Sequence, residues 1–265
     1  MNKPNFIINA DDFGQNDEIN EAVIKCFNDG FLTSASVLAN GSAFDKAMEF
    51  AKNHKNFSIG IHLNLTGGKP ATKNLREVSS LVKNDNFLSS EEFRKKYFRF
   101  GVSGRQIYKE LENQILKFLG YGLKPSHIDS HHHIHTLPTV AMITAKLAKK
   151  YGISKIRPSS NYFTAQKINY RNFFPTSLKL AYKKMINNYF RRRFIMPDYF
   201  CEGSLDRIFN DEKFLGNLSD ATYLFMSHPD ISGAGISDLK ILTDKNLFRL
   251  LNSDLGVKFI SFNEL

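Results

Sequence analysis

Five of the chain's eight histidines lie within ten residues, in the segment SHIDSHHHIH that spans positions 126 to 135. Such a segment at a terminus would suggest an expression tag, but this one lies mid-chain and follows Pro125. Five imidazoles beside one carboxylate, Asp129, are not typical of a surface loop. The segment therefore predicts a metal site, and the fold must bring the remaining ligands to it.

The local conformation decides which of these side chains share a face. A helix would pair His131 with His135, because residues four apart are neighbours on a helix. A strand would place alternate residues on one face, namely His127, Asp129, His131, His133 and His135. One ion cannot bind all of them, so the remaining groups are expected to orient the true ligands, and Asp129 suits that role.

Short β-type runs alternate with helical patterns along the whole chain. Roughly seven or eight strand–helix units predict an α/β fold in one domain over residues 1–265, built as a distorted, TIM-like (β/α) barrel, with a doubly wound open sheet as the alternative. The predicted strands are 5–9, 33–38, 57–65, a segment from His127, 154–157, 221–227 and 257–261. The predicted helices are 16–29, 44–51, 89–99, 104–119, 139–151, 178–190, 205–215 and 239–251, and 66–86 is predicted as a loop.

Both architectures place active sites beyond the carboxyl ends of their strands. Asp11 and Asp12 follow the first predicted strand, His62 lies near the end of the third, and His228 ends the strand at 221–227. Adjacent buried carboxylates repel each other, and a cation would relieve that repulsion. Each residue also has an ordinary interpretation, as a turn or helix-capping residue or as a structural histidine.

One aspartate and two histidines suit a divalent ion that keeps an open position for water. Such a water loses a proton near neutral pH and becomes a nucleophile, which predicts a hydrolase. His228, from another strand, is a candidate to protonate a leaving group. The residues alone leave open which aspartate binds the ion and which acts as a base.

Composition argues against several other classes of protein. The net charge of +10 comes from scattered basic residues, which favours a solvated basic surface over a nucleic-acid site. The two cysteines, Cys26 and Cys201, exclude a thiolate zinc site and suit a reducing cytoplasm. No apolar run of about 18 residues and no signal-peptide pattern occurs, so we expect a cytoplasmic protein with no membrane partner.

Five motifs, in chain order, match one known family: NADDFG at 9–14, TSASVLANG at 33–41, IGIHLNLT at 59–66, KPSHIDSHHHIH at 124–135 and HPD at 228–230. On these motifs the sequence resembles the YdjC-like carbohydrate deacetylases, whose best-known members are chitooligosaccharide deacetylases. The resemblance extends from about residue 6 to 231 and is weak between 160 and 220. It implies a distorted barrel related to polysaccharide deacetylases.

The resemblance also implies a reaction and a site. It implies that the protein binds one divalent ion (Mg or Zn) and removes an acetyl group from an N-acetylated amino sugar. It is also consistent with a homodimer. The implied ligands are Asp12, His62 and His131, with Asp11 as general base and His228 as general acid. Participation of His133 or His135 is left open.

Two other functions fit the same residues. One is another metal-dependent hydrolase, such as a phosphoesterase, for which two metal ions would be typical. The other is a non-catalytic protein that binds metal or sugar. Because the chain has no tryptophan, sugar stacking would fall to Tyr or Phe, with Tyr162 and Phe163 as candidates.

Overall fold

The computed structural model describes residues 3–159 and 176–265. Tyr162 and Phe163, the candidate stacking residues, lie outside this part of the chain. The strands are β1 (Asn5–Phe13), β2 (Ser34–Val37), β3 (Ser58–Leu63), β4 (Val82–Lys83), β5 (Asn86–Phe87), β6 (Ile128–Ser130), β7 (Tyr199–Cys201), β8 (Thr222–Ser227) and β9 (Lys258–Phe259). The α-helices are α1 (Asp17–Asp29), α2 (Phe44–Asn53), α3 (Ser90–Phe98), α4 (Gly104–Leu119), α5 (Pro138–Lys150), α6 (Thr176–Arg191), α7 (Leu205–Phe209), α8 (Glu212–Leu215), α9 (Ile236–Leu242) and α10 (Lys245–Arg249).

The main sheet is parallel and curled, in the order β6-β3-β2-β1-β8-β7, with β9 also paired to β1. Isolated bridges from Ile128 to Ile156 and from Lys155 to Ile195 extend it beyond β6. The predicted strand at 154–157 is therefore present only as bridges. Because the paired strands of this main sheet are parallel, their carboxyl ends meet at one edge, which confirms the predicted α/β barrel-like class.

Alternation along β1 separates a helix-facing side from the interior of the curl. Phe6 and Ile8 belong to the large hydrophobic core. Ile7 belongs to a smaller cluster with Phe200, Leu224, Ile260 and Phe262. Asn9 and Asp11 follow Ile7 at intervals of two, so the same interior side becomes polar towards the carboxyl end of the strand.

The helices bury apolar faces against this sheet. Helix α1 begins where the side chain of Asn16 accepts a hydrogen bond from the Ile19 amide at 2.8 Å, and it ends before Gly30. Its predicted apolar face is buried, as Ala22, Val23 and Cys26 show. The sequence periodicity thus located the longer helices to within a few residues.

Several short elements differ from the sequence prediction. The predicted helix at 205–215 is divided into α7 and α8, and 239–251 is divided between α9, α10 and a π-helical turn at Leu250–Asp254. A short turn interrupts each predicted helix. The side chain of Asp211 accepts a backbone hydrogen bond at the start of α8, and that of Asp244 does so at the start of α10. Strand β7 was not predicted, and the predicted loop at 66–86 contains the 3₁₀ helix Leu75–Val78 and enters the β4–β5 hairpin.

Candidate metal centre

The backbone bends at Asp12, just before the end of β1. The pairing of β1 with β2 shifts register between Ala10 and Phe13, and Asp12 has a left-handed φ of 62°. Such a conformation costs roughly 1–3 kcal/mol in a non-glycine residue and persists where surrounding contacts hold it. As a result both carboxylates face His62, whose Nε2 lies 3.4 Å from Asp12 Oδ1 and 3.8 Å from Asp11 Oδ2.

Three candidate ligands meet here from distant parts of the sequence. Asp12, His62 and His131 each offer one ligand atom, and these atoms lie within 4.8 Å of one another. The shortest separation, 2.8 Å, joins His131 Nδ1 to Asp12 Oδ1. Asp12 lies near the end of β1, His62 lies on β3 and His131 follows β6, so the carboxyl ends of strands in one parallel sheet bring the group together.

The histidine segment does not continue as a strand. It leaves β6 at Ser130 and turns through a 3₁₀ segment, His131–Thr136, in which His132 and His133 have left-handed φ values of 51° and 53°. Neither of the two regular conformations considered for the segment therefore extends over all of it, because β6 ends at Ser130 and the left-handed residues His132 and His133 interrupt the 3₁₀ segment. Arg94 donates to the His132 carbonyl oxygen at 2.6 Å, and Thr66 Oγ1 lies 2.8 Å from His132 Nδ1.

The last two histidines of the segment contact other partners. Buried His135 places Nδ1 2.5 Å from Ser130 Oγ, and its backbone N–H donates to the same oxygen at 2.9 Å. His133 Nε2 lies 3.2 Å from Glu202 Oε1, and this contact holds the pKa of Glu202 at about 2. Neither histidine belongs to the described group of converging ligand atoms.

Asp129 orients His62 from the opposite side of the imidazole ring. Its Oδ1 lies 2.7 Å from His62 Nδ1, which leaves Nε2 facing Asp12. Burial lowers the pKa of His62, but Asp129 and Asp11 outweigh it and raise that pKa to about 9. The surrounding carboxylates thus favour a positive charge at this position, whether it is a proton on the imidazole or a cation at Nε2.

Arg157 is a buried member of the site that the sequence analysis missed. Its Nη1 donates to Asp11 Oδ2 at 2.6 Å, while Nη2 contacts both Asp11 Oδ1 and Asp129 Oδ2. Burial raises the pKa of Asp11, but the Arg157 charge and then His62 outweigh it and keep the pKa below its usual value. A charged residue at the end of the predicted strand at 154–157 was the available signal.

The charge of the cluster matches a divalent cation. Asp11, Asp12 and Asp129 carry three negative charges, and Arg157 carries one positive charge, so two negative charges remain when the imidazoles are neutral. Burial raises the pKa of Asp12, yet the His131 hydrogen bond and the His62 charge hold it below its ordinary value. Mixed carboxylate and imidazole donors suit Zn and related divalent ions.

His228 lies at the carboxyl end of β8 and is exposed. Its backbone N–H donates to Asp238 Oδ2 at 2.8 Å. The structure therefore brings the five residues Asp11, Asp12, His62, His131 and His228 to one edge of the sheet.

The fold and the site define an α/β protein with a curled parallel sheet and an Asp-His-His group at the carboxyl ends of its strands. The chain belongs to the YdjC-like protein family, whose model matches residues 5–253. This membership agrees with the resemblance seen in the sequence motifs.

Three similar proteins cover nearly the whole chain. The carbohydrate deacetylase of Clostridium beijerinckii is 31% identical over 98% of this chain and 99% of its own length. That of Geobacillus stearothermophilus is 31% identical over 97% of this chain and 96% of its own length. The crystal structure of a putative cellobiose-phosphate cleavage protein from Enterococcus faecalis is 25% identical, with a TM-score of 0.80 over 100% of this chain and 99% of that one.

None of the helices in residues 3–159 and 176–265 has the length and apolar character needed to cross a bilayer.

Proposed function

We propose that the protein is a metal-dependent deacetylase that hydrolyses the acetamide group of an N-acetylated amino sugar or oligosaccharide. The observation that carries this proposal is the convergence of Asp12, His62 and His131 beside the Asp11–Arg157 pair. The curated relatives named carbohydrate deacetylase support the substrate class. The products are acetate and a free amino sugar.

Asp12, His62 and His131 would hold one divalent cation, Mg or Zn. When bound, the cation supplies Lewis-acid polarisation of the acetyl carbonyl group and acidifies the attacking water. A second group, Asp11, His62 and Asp129, also has converging ligand atoms, but Arg157 contacts both of its carboxylates. Because a guanidinium occupies that position, the site favours one cation over the pair typical of phosphoester hydrolysis.

Asp11 is the proposed general base. Arg157 holds its carboxylate ionised, and Asn9 Nδ2 donates to Asp11 Oδ1 at 2.8 Å, so the side chain is fixed in one orientation. The lowered pKa makes Asp11 a weak proton acceptor. Proton transfer from water therefore requires that the water be acidified, which agrees with a cation at the neighbouring Asp12.

His228 is the proposed general acid. Amine expulsion from the tetrahedral intermediate is slow unless the nitrogen is protonated, so a donor near the site is needed. His228 approaches from β8, whereas His62 and His131 approach from β3 and β6. Asp129 would orient His62, and His133 and His135 would support the turn that carries His131, through Glu202 and Ser130 respectively.

The direct test is acetate release from a panel of N-acetylated mono- and oligosaccharides by purified protein. We expect release that stops after chelation and returns when one divalent metal is added back. An aryl phosphate serves as the control substrate. Metal-dependent phosphate release without acetate release would overturn the proposal. A single domain over residues 1–265, a cytoplasmic location and a homodimer remain predictions, and light scattering tests the last.

A further inference from the structure

A buried polar chain lies behind the metal centre, on the interior side of the curled sheet. Its central atom is Ser36 Oγ on β2, which lies 2.7 Å from Asp129 Oδ2, 2.9 Å from His127 Nε2 and 2.9 Å from Asn9 Nδ2. All four residues are fully buried. Ser36 and His127 come from two of the motifs noted in the sequence, and neither has a role in the proposed reaction.

The directions of these hydrogen bonds follow from the chemistry of the groups. The Asp129 carboxylate only accepts, so the Ser36 hydroxyl donates to it. The Ser36 oxygen then accepts from the Asn9 amide and from His127 Nε2–H. With Nε2 protonated, His127 Nδ1 accepts from Ser126 Oγ, which lies 2.9 Å away. A single tautomer of His127, with the proton on Nε2, is therefore consistent with all of these hydrogen bonds.

This buried chain of hydrogen bonds ends at His62, a proposed metal ligand. Asp129 accepts from Ser36 at Oδ2, which Arg157 Nη2 also contacts, and from His62 Nδ1 at Oδ1, so both carboxylate oxygens are held. Rotation of Asp129 would break one of these bonds. Since Asp129 fixes the His62 ring, the Ser36 hydroxyl indirectly determines the orientation of His62 Nε2.

The packing around His127 fits an imidazole in this place. Its ring stacks on Phe262, with centroids 3.6 Å apart and planes at 14°. On the other side is Gly60, where an added Cβ would lie 2.3 Å from His127 Cε1. Any larger residue at position 60 would collide with the ring, so the strand leaves space for it.

We propose that Ser36 and His127 are positioning residues that fix Asp129 and, through it, the His62 imidazole, and thereby set the cation affinity of the site. This inference rests on the proposed function only in that a cation binds at Asp12, His62 and His131. Outer partners of metal-binding histidines typically contribute about 10–100-fold to metal affinity. Ser36 is one bond further out, so we expect about a 10-fold effect.

The test compares Ser36→Ala with Ser34→Ala in the full chain. Ser34 lies on the same strand and is fully buried, but its Oγ has no hydrogen-bond partner among the described residues. Titration of metal-free protein with Zn²⁺ alone should show a Kd about 10-fold weaker for Ser36→Ala and unchanged for Ser34→Ala. Equal affinities for the two variants would overturn the proposal.

Two further variants separate positioning from a loss of folding. Ser36→Thr keeps the hydroxyl and should restore the affinity, whereas His127→Phe keeps a stacked ring without an N–H donor and should weaken it. The absorption spectrum of bound Co²⁺ should change in Ser36→Ala and His127→Phe but not in Ser34→Ala. If Thr at position 36 fails to restore affinity while the protein stays folded, the role assigned to the hydroxyl is wrong.

The same measurements distinguish this inference from the proposed function. A wild-type protein that binds Zn²⁺ but releases no acetate from any acetylated sugar contradicts the deacetylase proposal, and the affinity comparison still decides the role of Ser36. A wild-type protein that binds no divalent cation contradicts both.

Discussion

Asp11 accepts hydrogen bonds from both terminal nitrogens of Arg157, and both side chains are buried. The two residues are 146 positions apart in the sequence. Bidentate pairing fixes the orientation of a carboxylate as well as its charge. The proposed general base, Asp11 on β1, is therefore held by Arg157, which follows the bridge residues Lys155 and Ile156 beyond the β6 end of the strand order.

Replacing Arg157 by Lys should separate orientation from charge. Lys keeps a positive charge but cannot make the paired contacts, so we expect kcat for acetate release to fall about 100-fold or more, since general-base catalysis typically contributes 10²–10⁴-fold. Zn²⁺ affinity should change much less, because the three proposed ligands remain. Arg193→Lys, at a surface arginine that lies over Tyr189, is the matched control. An Arg157→Lys enzyme with wild-type kcat would contradict the role given to the pair.

Removal of a proposed ligand should abolish metal binding and activity together. His62→Ala and His131→Ala each delete one of three ligand groups, so we expect the Kd for the metal to rise at least about 10-fold, a loss of about 1.4 kcal/mol or more in binding, and little metal to remain after dialysis. Elemental analysis per mole of chain measures this, and the wild type should hold one ion. His54→Ala, at a histidine that bonds to Phe50 O, should keep full metal content. Activity that survives without metal would refute the ligand assignment.

The proposed proton donor is tested by a change of leaving group. His228→Ala should retain metal and lose about 10²–10⁴-fold in kcat on an acetylated amino sugar. An aryl acetate ester expels a phenolate that needs no proton, so the variant should cleave it at nearly the wild-type rate. Comparison of the two substrates in steady-state assays measures the difference. An equal loss on both substrates would mean that His228 acts in some way other than proton donation.

The strand-end residues of the site were predictable from sequence. Asp11, Asp12 and His228 end recognisable β-type runs, and parallel sheets collect such ends at one edge. The need for a bend at the aspartate pair was also predictable, since alternation alone would send neighbouring side chains to opposite faces. The left-handed φ of Asp12 provides that bend.

Other parts of the site depend on contacts that no local pattern encodes. Arg157 follows a segment that forms only bridges, and its partner Asp11 is far away in the chain. Strand β7, which ends just before Glu202, has only three residues and gives no alternating pattern. The turn at His132 and His133 is held by Arg94 and Thr66, and these tertiary contacts lie outside the segment, so its alternating histidines do not reveal them.

A buried carboxylate on α4 ties the 66–72 segment to the molecule. Glu110 accepts from the backbone N–H groups of Ala71 and Thr72, at 2.8 and 3.0 Å, and from Gln114 Nε2 at 2.7 Å. Gln114 in turn exchanges hydrogen bonds with the backbone of Asn64. The segment that follows Asn64 carries Thr66, which contacts the histidine turn.

Glu110→Gln should therefore destabilise the protein by about 1–3 kcal/mol, because one acceptor oxygen is replaced by an NH₂ group that faces buried donors. Urea unfolding measures this free energy, and limited proteolysis within 66–86 should become faster than in the wild type. Glu91→Gln on α3 is the control, since its surface pair with Lys95 contributes about 1 kcal/mol or less. If both variants unfold at the same urea concentration, Glu110 does not anchor the segment. The connection from α4 to the histidine turn then contributes nothing measurable to the free energy of unfolding.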